Sequence, residues 1–236
     1  MHQTNVLCIV HGNRSGLGRF SDLLTRAGSV VETVNFLNGQ TATKPTDRYD
    51  LIVVFGGRIG ADDLHVAGLR AEYSFLESAA AADQAVLGLC LGGQLMSQVL
   101  GARPIKHLSK PEIGFRQIQP APGEMPRVFF AHAEFFQWHW DDMPCPPGAA
   151  NFGATEDVEC QAFVRRRIVA LQFHPDAIPM TIQQWMISGK ETLTKYSAKS
   201  PDEHLADAWR LESKVDNWSK ELLDRMLTNA TKSDIL

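Results

Sequence analysis

Short apolar runs alternate with stretches in which apolar residues recur every three or four positions, and this alternation persists through the first hundred residues. The runs 6–10, 30–34, 51–55 and 85–89 are too short for helices and read as buried strands. Between them, 18–27 carries Phe20, Leu23 and Leu24 on one helical face, and 67–82 and 91–100 read as further helices. Strand–helix alternation predicts a parallel sheet with helices on both faces.

The pattern changes after residue 100. Short strands are expected over 112–119, 127–130, 149–154, 160–164 and 168–173, most of them set apart by turns such as PAPGEMP and PCPPG. They predict antiparallel strands added to the parallel core. A polar linker runs over 190–201. A long amphipathic helix over 203–228 places Ala208, Leu211, Val215, Trp218 and Leu222 at spacings of three and four. That stripe either packs on the body or forms the seam of a homodimer. The expected fold class is α/β: an open, mostly parallel, doubly wound sheet with added antiparallel strands and a C-terminal helix. The expected organisation is one domain over 1–190, with 191–236 as a linker and helix packed on the same domain.

Composition narrows the function. The 236 residues suffice for one large domain. A net charge of −4 leaves no basic footprint for nucleic acid. No apolar run approaches the ~20 residues that span a bilayer, and no basic-then-apolar leader opens the chain, so neither a membrane role nor export is expected. The four cysteines, Cys8, Cys90, Cys145 and Cys160, form no C-x-x-C pair and no Cys/His ligand spacing. Structural metal and a disulfide framework are therefore not expected, and the reducing cytoplasm is the expected location.

The stretch AVLGLCLGGQLMSQVLG, 85–101, places Cys90 where a strand becomes a helix. In open parallel sheets, reactive groups sit at the carboxyl ends of strands. A helix N-terminus there favours a thiolate through its free N–H groups and partial positive charge. Gly88 and Gly92 leave room for strand and helix to approach. The layout suits a nucleophile elbow, although the local sequence serves a buried structural cysteine equally well.

A cysteine nucleophile needs a base. In ALQFHPD, 170–176, a strand ends at Phe173 and His174 follows, with Asp176 two positions on. The imidazole can take the thiol proton and return it to a leaving amine, while the carboxylate holds the ring's tautomer. In VVFGGRIGADD, 53–63, two glycines follow a buried strand, and a backbone N–H there could pair with that of Leu91 in an oxyanion hole. His11 ends the first strand at the same edge. The loop GNRSGLG beside it lacks a P-loop lysine and reads as a strand-to-helix turn. His107 and His132 read as surface or packing residues, and Cys8 as an inert core thiol.

Together these motifs resemble the class I (triad) glutamine amidotransferase family, and most closely its stand-alone members similar to GMP synthase. G-L-C-L-G-G-Q resembles the family's G-x-C-x-G-x-Q elbow, Q-F-H-P-D its Q-F-H-P-E, and F-G-G-R its G-G-P loop. EIGF at 112–115, FFQWHWDDMPCPPGA at 135–149 and QAF at 161–163 extend the likeness, which covers roughly residues 5–188. The resemblance implies a flavodoxin-like fold and a γ-glutamyl thioester mechanism without cofactor or metal. By it, Cys90 is the nucleophile, His174 the general base and acid, and Asp176 the group that orients His174. The N–H groups of Gly57 and Leu91 would form the oxyanion hole. Gln94 would contact the glutamyl moiety, and the backbone of Trp138, His139, Trp140 and Asp141 would hold its α-amino and carboxylate groups.

Two departures stand out. Asp176 replaces the family's usual glutamate and is one methylene shorter, a residue that serves as third member in other triads. Arg58 stands where proline often follows the two glycines. The implied substrate is glutamine or another γ-glutamyl small molecule, with a separate ATP-dependent synthetase as partner if ammonia is passed on. An autonomous γ-glutamyl hydrolase or peptidase is the alternative, and a non-enzymatic binding module on the same fold is the third. The intracellular-protease-like branch places its histidine directly after the cysteine. Leu91 occupies that place here, which disfavours that branch.

Overall fold

Successive side chains of a strand point to opposite faces, so an unbroken apolar run predicts burial on both sides. The first strand, β1 (Asn5–Ile9), turns Val6 and Cys8 into one apolar layer and Leu7 and Ile9 into another. The computed structural model describes residues 3–12, 16–103, 105–121, 133–197 and 199–228. The chain continues through α1 (Arg19–Arg26), β2 (Val30–Val34), β3 (Leu51–Val54), α2 (Ala67–Ala81), β4 (Val86–Leu89), α3 (Leu91–Val99), β5 (His107–Gln117) and β6 (Glu134–Asp141). It ends with β7 (Ala150–Gly153), β8 (Ala162–Arg165), β9 (Ile168–Leu171), α4 (Pro179–Ser188), α5 (Lys190–Tyr196) and α6 (Pro201–Thr228).

Seven of these strands form one sheet in the order β2-β1-β3-β4-β9-β8-β7. Pairing is parallel from β2 to β9 and antiparallel from β9 to β7. β5 and β6 make a separate antiparallel pair. One face of the large sheet packs against Phe20, Leu23 and Leu24 of α1 and Leu211, Val215, Trp218 and Leu222 of α6. The other packs against Leu69 and Leu76 of α2 and Leu95 and Met96 of α3. Burying each large apolar side chain contributes about 1.5–3 kcal/mol, so the stripe of α6 is ample to fix that helix on the body.

The expected fold class holds, with five corrections. The aromatic run beginning at Glu134 reads as an irregular segment in the sequence, yet it is strand β6. Its period-2 signal is hidden because Phe135, Phe136 and Gln137 are all buried. The linker expected over 190–201 contains α5, whose Leu193 is buried in a third apolar cluster with Ile113, Phe136, Ile182 and Met186. α4 has no counterpart in the sequence reading. β5 starts at His107, before the expected 112, across a register shift. β8 lies two residues later at its start than expected. The strand expected over 127–130 and His132 lie outside the described residues. Among those described, no helix is long and apolar enough to cross a membrane.

Close approach of β4, α3 and β3 depends on two glycines. A Cβ on Gly88 would meet the carbonyl of Gly92 at 2.6 Å, and one on Gly92 would collide with the carbonyl of Val54. Only bare backbone lets α3 begin directly at the end of β4.

Candidate active site

Neighbouring strands end at one edge of the sheet, and each delivers a different group. β1 leads to His11, β3 to Gly56 and Gly57, β4 to Cys90, and β9 to His174. Parallel pairing of Leu89 with Leu171 brings the last two together. This is the carboxyl edge, where open α/β sheets bind ligands.

Cys90 occupies the single residue between β4 and α3, with φ 51° and ψ −108°. A positive φ on a residue with a side chain costs on the order of 1–3 kcal/mol and persists only when surrounding bonds enforce it. Here its N–H donates to the Leu171 carbonyl at 2.7 Å, and its own carbonyl accepts from the Gln94 N–H at 2.9 Å. Leu91, the next residue, opens α3, so its N–H has no partner within the helix.

His174 follows β9, and its N–H donates to the Phe136 carbonyl at 2.9 Å. Its ring and Cys90 both lie against Gly56, whose Cβ would stand 2.7 Å from Cε1 of the one and 3.5 Å from Cβ of the other. Nδ1 lies 3.2 Å from Oδ1 of Asp176. Cys90, His174 and Asp176 are each 6% exposed, so the three polar groups meet almost out of water. Burial opposes a charge on the ring. Charge interaction with Cys90 and then with the Asp176 carboxylate outweighs that effect, and together with hydrogen bonding it raises His174 to about 10. Cys8 has the opposite environment: burial alone pushes its thiol up to about 12, in keeping with an inert core residue.

Gly56 closes the site from the β3 side. A Cβ there would stand 2.7 Å from Cε1 of His174 and 3.5 Å from Cβ of Cys90. A Cβ on Gly57 would meet Leu91 Cδ2 at 2.6 Å and His11 Cβ at 2.8 Å. Both glycines therefore lie against the groups of interest, and neither position has room for a side chain. Arg58 leads away, donating from Nη2 to Ser188 Oγ at 2.7 Å.

The remaining expected residues divide. Gln94 is buried and donates to the Asp141 carbonyl at 3.2 Å and to Oε1 of Gln172 at 3.3 Å, tying α3 to β6 and to the segment before His174. Trp138, His139, Trp140 and Asp141 lie on β6, where the first two and the last have structural partners. Trp138 stacks on Phe136 and lies against Gly189. Trp140 is half-buried. The His139 ring is enclosed between Glu112, 3.0 Å from Nε2, and the Asp141 carbonyl, 2.9 Å from Nδ1. Burial would raise the Glu112 carboxyl, but hydrogen bonds and charge from His139, with bonds from Thr155 and Gln161, hold it below its ordinary range. Asp141 pairs with exposed His107 at 2.8 Å.

Three residues around the site escape the sequence reading. Arg19 is buried and grips the loop that carries Asp176: its N–H donates to the Asp176 carbonyl at 3.0 Å, Nε to the Pro175 carbonyl at 2.7 Å, and Nη2 to the Ala177 carbonyl at 2.9 Å. Glu212 and Asp216 of α6 hold the guanidinium from the far side. An arginine in the first turn of a helix opposes the helix dipole, and that local conflict is the legible signal. Trp185 of α4 packs edge-on against the His174 ring, with centroids 4.7 Å apart. Glu72 lies in the buried stripe of α2 between Leu69 and Leu76 and pairs with His11; a lone acid in an apolar stripe is its signal.

Known proteins carry the same arrangement of chain. The family model described as glutamine amidotransferase class-I matches residues 20–190. A glutamine amidotransferase-like protein of Salmonella typhimurium, YfeJ, is 28% identical over 143 residues, covering 58% of this chain and 59% of that protein; this chain thus matches under two thirds of the relative's length. One of the subunits of the glutamine-hydrolysing GMP synthase of Sulfurisphaera tokodaii is 30% identical over 144 residues, 58% of this chain and 73% of that one. The crystal structure of a glutamine amidotransferase from Thermotoga maritima superposes with a TM-score of 0.87 at 28% identity, covering 96% of this chain and 99% of that chain.

Proposed function

The chain belongs to the glutamine amidotransferase class-I family, and from that premise we propose that it hydrolyses the γ-amide of glutamine through Cys90, His174 and Asp176 and hands the ammonia to a separate synthetase. The observation that carries this reading is that Cys90, held at positive φ, and the His174 ring both lie buried against Gly56, with Asp176 Oδ1 3.2 Å from the ring's Nδ1.

With the proton on His174, the sulfur of Cys90 attacks the γ-carbonyl carbon and the carbonyl electrons move onto oxygen. The N–H groups of Gly57 and Leu91 receive the oxyanion as it develops. As the tetrahedral intermediate collapses, the C–N bond breaks, His174 protonates the nitrogen, and ammonia leaves a γ-glutamyl thioester on Cys90. His174 then takes a proton from water, the hydroxide displaces the sulfur, and glutamate departs. Asp176 keeps Nδ1 of the ring as donor throughout, so Nε2 serves the reacting atoms. Gln94 contacts the glutamyl group, and the backbone of residues 138–141 receives its α-substituents. The reaction needs no cofactor or metal, and the chain works in the cytoplasm, with 191–236 packed as part of the same domain.

The name of the Sulfurisphaera relative, one part of a synthase, supports the separate partner. One observation favours the second reading, an autonomous γ-glutamyl hydrolase: Asp176 already stands 3.2 Å from Nδ1 of His174, and Cys90 and that ring already share the wall formed by Gly56, in the isolated chain. Glutamate release from L-glutamine and from several γ-glutamyl amines and dipeptides separates the two. Robust turnover of one γ-glutamyl compound, lost in Cys90→Ala, makes the chain autonomous. Weak turnover of glutamine alone, with rapid alkylation of Cys90 by a glutamine-mimicking electrophile, makes it the ammonia-supplying half of a two-chain enzyme. No turnover together with a sluggish Cys90 sinks both and leaves a binding module.

A further inference from the structure

His11 lies at the end of β1, and its side chain, like that of Glu72, is 0% exposed. Its Nε2 lies 2.9 and 3.0 Å from the two carboxylate oxygens of Glu72. Its Nδ1 lies 3.3 Å from the carbonyl oxygen of Gly56. A carbonyl only accepts, so the bond to Gly56 forms with a proton on Nδ1, and the bond to Glu72 at the opposite nitrogen then takes a second proton, carried by Nε2 or by the carboxyl group. The carboxylate at the opposite nitrogen prevents the ring from turning away.

The carbonyl of Gly56 and the N–H of Gly57 belong to one peptide unit. In a planar trans peptide they point in opposite directions. Fixing the carbonyl towards His11 therefore aims the Gly57 N–H away from β1 and towards the β4 side, where Leu91 and Cys90 stand. Two adjacent glycines offer little intrinsic resistance to rotation of the peptide between them. The orientation must come from outside, and a buried imidazole anchored on α2 supplies it.

We propose that His11 and Glu72 are positioning residues that lock the Gly56–Gly57 peptide with its N–H facing Cys90, so that the oxyanion hole is formed before substrate arrives. This rests on the oxyanion role proposed above for Gly57. A preformed donor needs no reorganisation as charge develops, which is the condition under which such donors act most strongly.

The test uses the full chain as wild type, His11→Ala and His11→Asn, with L-glutamine and a panel of γ-glutamyl amides as substrates. The side-chain nitrogen of asparagine falls near the place of Nδ1 and restores a donor to Gly56, whereas alanine does not. His11→Ala is expected to lower kcat by about 10–100-fold, part of the ~10²–10³ that a whole oxyanion donor supplies, with KM moving less than about 3-fold. His11→Asn is expected to recover most of that loss. Alkylation of Cys90 by iodoacetamide, which builds no oxyanion, should stay within about 2-fold in all three. Unchanged kcat in His11→Ala, or an asparagine variant no better than alanine, overturns the inference. If His11→Ala leaves too costly a buried carboxylate to fold, the double variant His11→Leu/Glu72→Leu removes both partners and is expected to show the same loss of kcat.

Crystal structures of wild type and variant decide the point independently of turnover. A Gly56–Gly57 peptide rotated or split between two orientations in His11→Ala supports the lock, and an unmoved peptide overturns it. A wild type inert toward every amide, combined with a peptide that rotates in the variant, sinks the amidohydrolase reading and leaves the lock standing.

Discussion

Nδ1 of His174 lies 3.2 Å from Oδ1 of Asp176, a carboxylate only two positions further along the chain. So short a connection closes only because the loop between them is held from outside. The carbonyls of Pro175, Asp176 and Ala177 all accept from Arg19, and Ser219 Oγ of α6 adds a second bond to Pro175 at 3.1 Å. The shorter aspartate reaches the ring because its backbone is brought to it.

Asp176→Asn should keep the fold and lose the reaction. The amide can present its NH₂ to Nδ1 and select the wrong tautomer, an exchange that costs on the order of 10⁴ in a serine triad. A fall in kcat of about 10²–10⁴-fold with an unchanged urea midpoint is expected from steady-state kinetics and denaturation. Activity within a few-fold of wild type would remove Asp176 from the mechanism.

The charge on His174 should depend on Cys90. Its folded value, about 10, lies above the ~6.5 of an unfolded histidine. The charged ring thus contributes stability that is fully present below ~6.5 and is lost as pH rises through about 10. In Cys90→Ser the interaction with sulfur is gone while burial still disfavours the charge, so the ring should titrate below its wild-type value. Ring resonances followed by NMR from about pH 5 to 11 give both titrations; equal values in the two proteins would contradict the coupling.

Arg19→Ala should loosen the Asp176 loop and the body together. It removes the buried donor of the Ala177 carbonyl, at about 1–3 kcal/mol for a group left unsatisfied, and one of the two donors of the Pro175 carbonyl, which keeps Ser219 Oγ. Its ion pairs add little, because Glu212 and Asp216 are 29% and 41% exposed and solvent screens them. A stability loss of about 2–4 kcal/mol, read as a lower urea midpoint at unchanged slope, is expected along with a fall in kcat. A loss of stability without any loss of kcat would show that the clamp does not serve the triad.

Gly56→Ala should act on the site directly. Its Cβ would crowd Cε1 of His174 at 2.7 Å. Turnover should fall at least about 10-fold, since a displacement of about 1 Å at reacting groups can cost 10²-fold, and forcing the buried ring aside should lower stability by about 1–3 kcal/mol. The urea midpoint and kcat, measured on one preparation, check both halves.

The parallel half of the fold was legible because its inner strands are apolar runs bounded by turns and its helices show their period, while the edge strand β2, VVETV, is carried by its β-branched residues. The meeting of Cys90, His174 and Asp176 at one edge was legible because Cys90 and His174 each directly follow a strand and Asp176 lies two positions on. β6 was not, since burial on both faces erases alternation in Phe135–Gln137, and α5 was hidden by a polar surface with Leu193 buried and Tyr196 packed beside it. Arg19 and Glu72 were missed for a different reason. Each acts on residues far away along the chain, 156 positions for Arg19 and Pro175 and 61 for Glu72 and His11. A sequence shows only that a charge sits where a helix dipole or an apolar stripe does not want it.

The measurement that tests the account most directly is the mass of the peptide containing Cys90, taken after acid quench during turnover of L-glutamine or of whichever γ-glutamyl amide is hydrolysed fastest. A γ-glutamyl group on Cys90, present during turnover and absent from Cys90→Ala, is the predicted result. Turnover that leaves Cys90 unmodified, or that survives in Cys90→Ala, would contradict a thioester mechanism at this site.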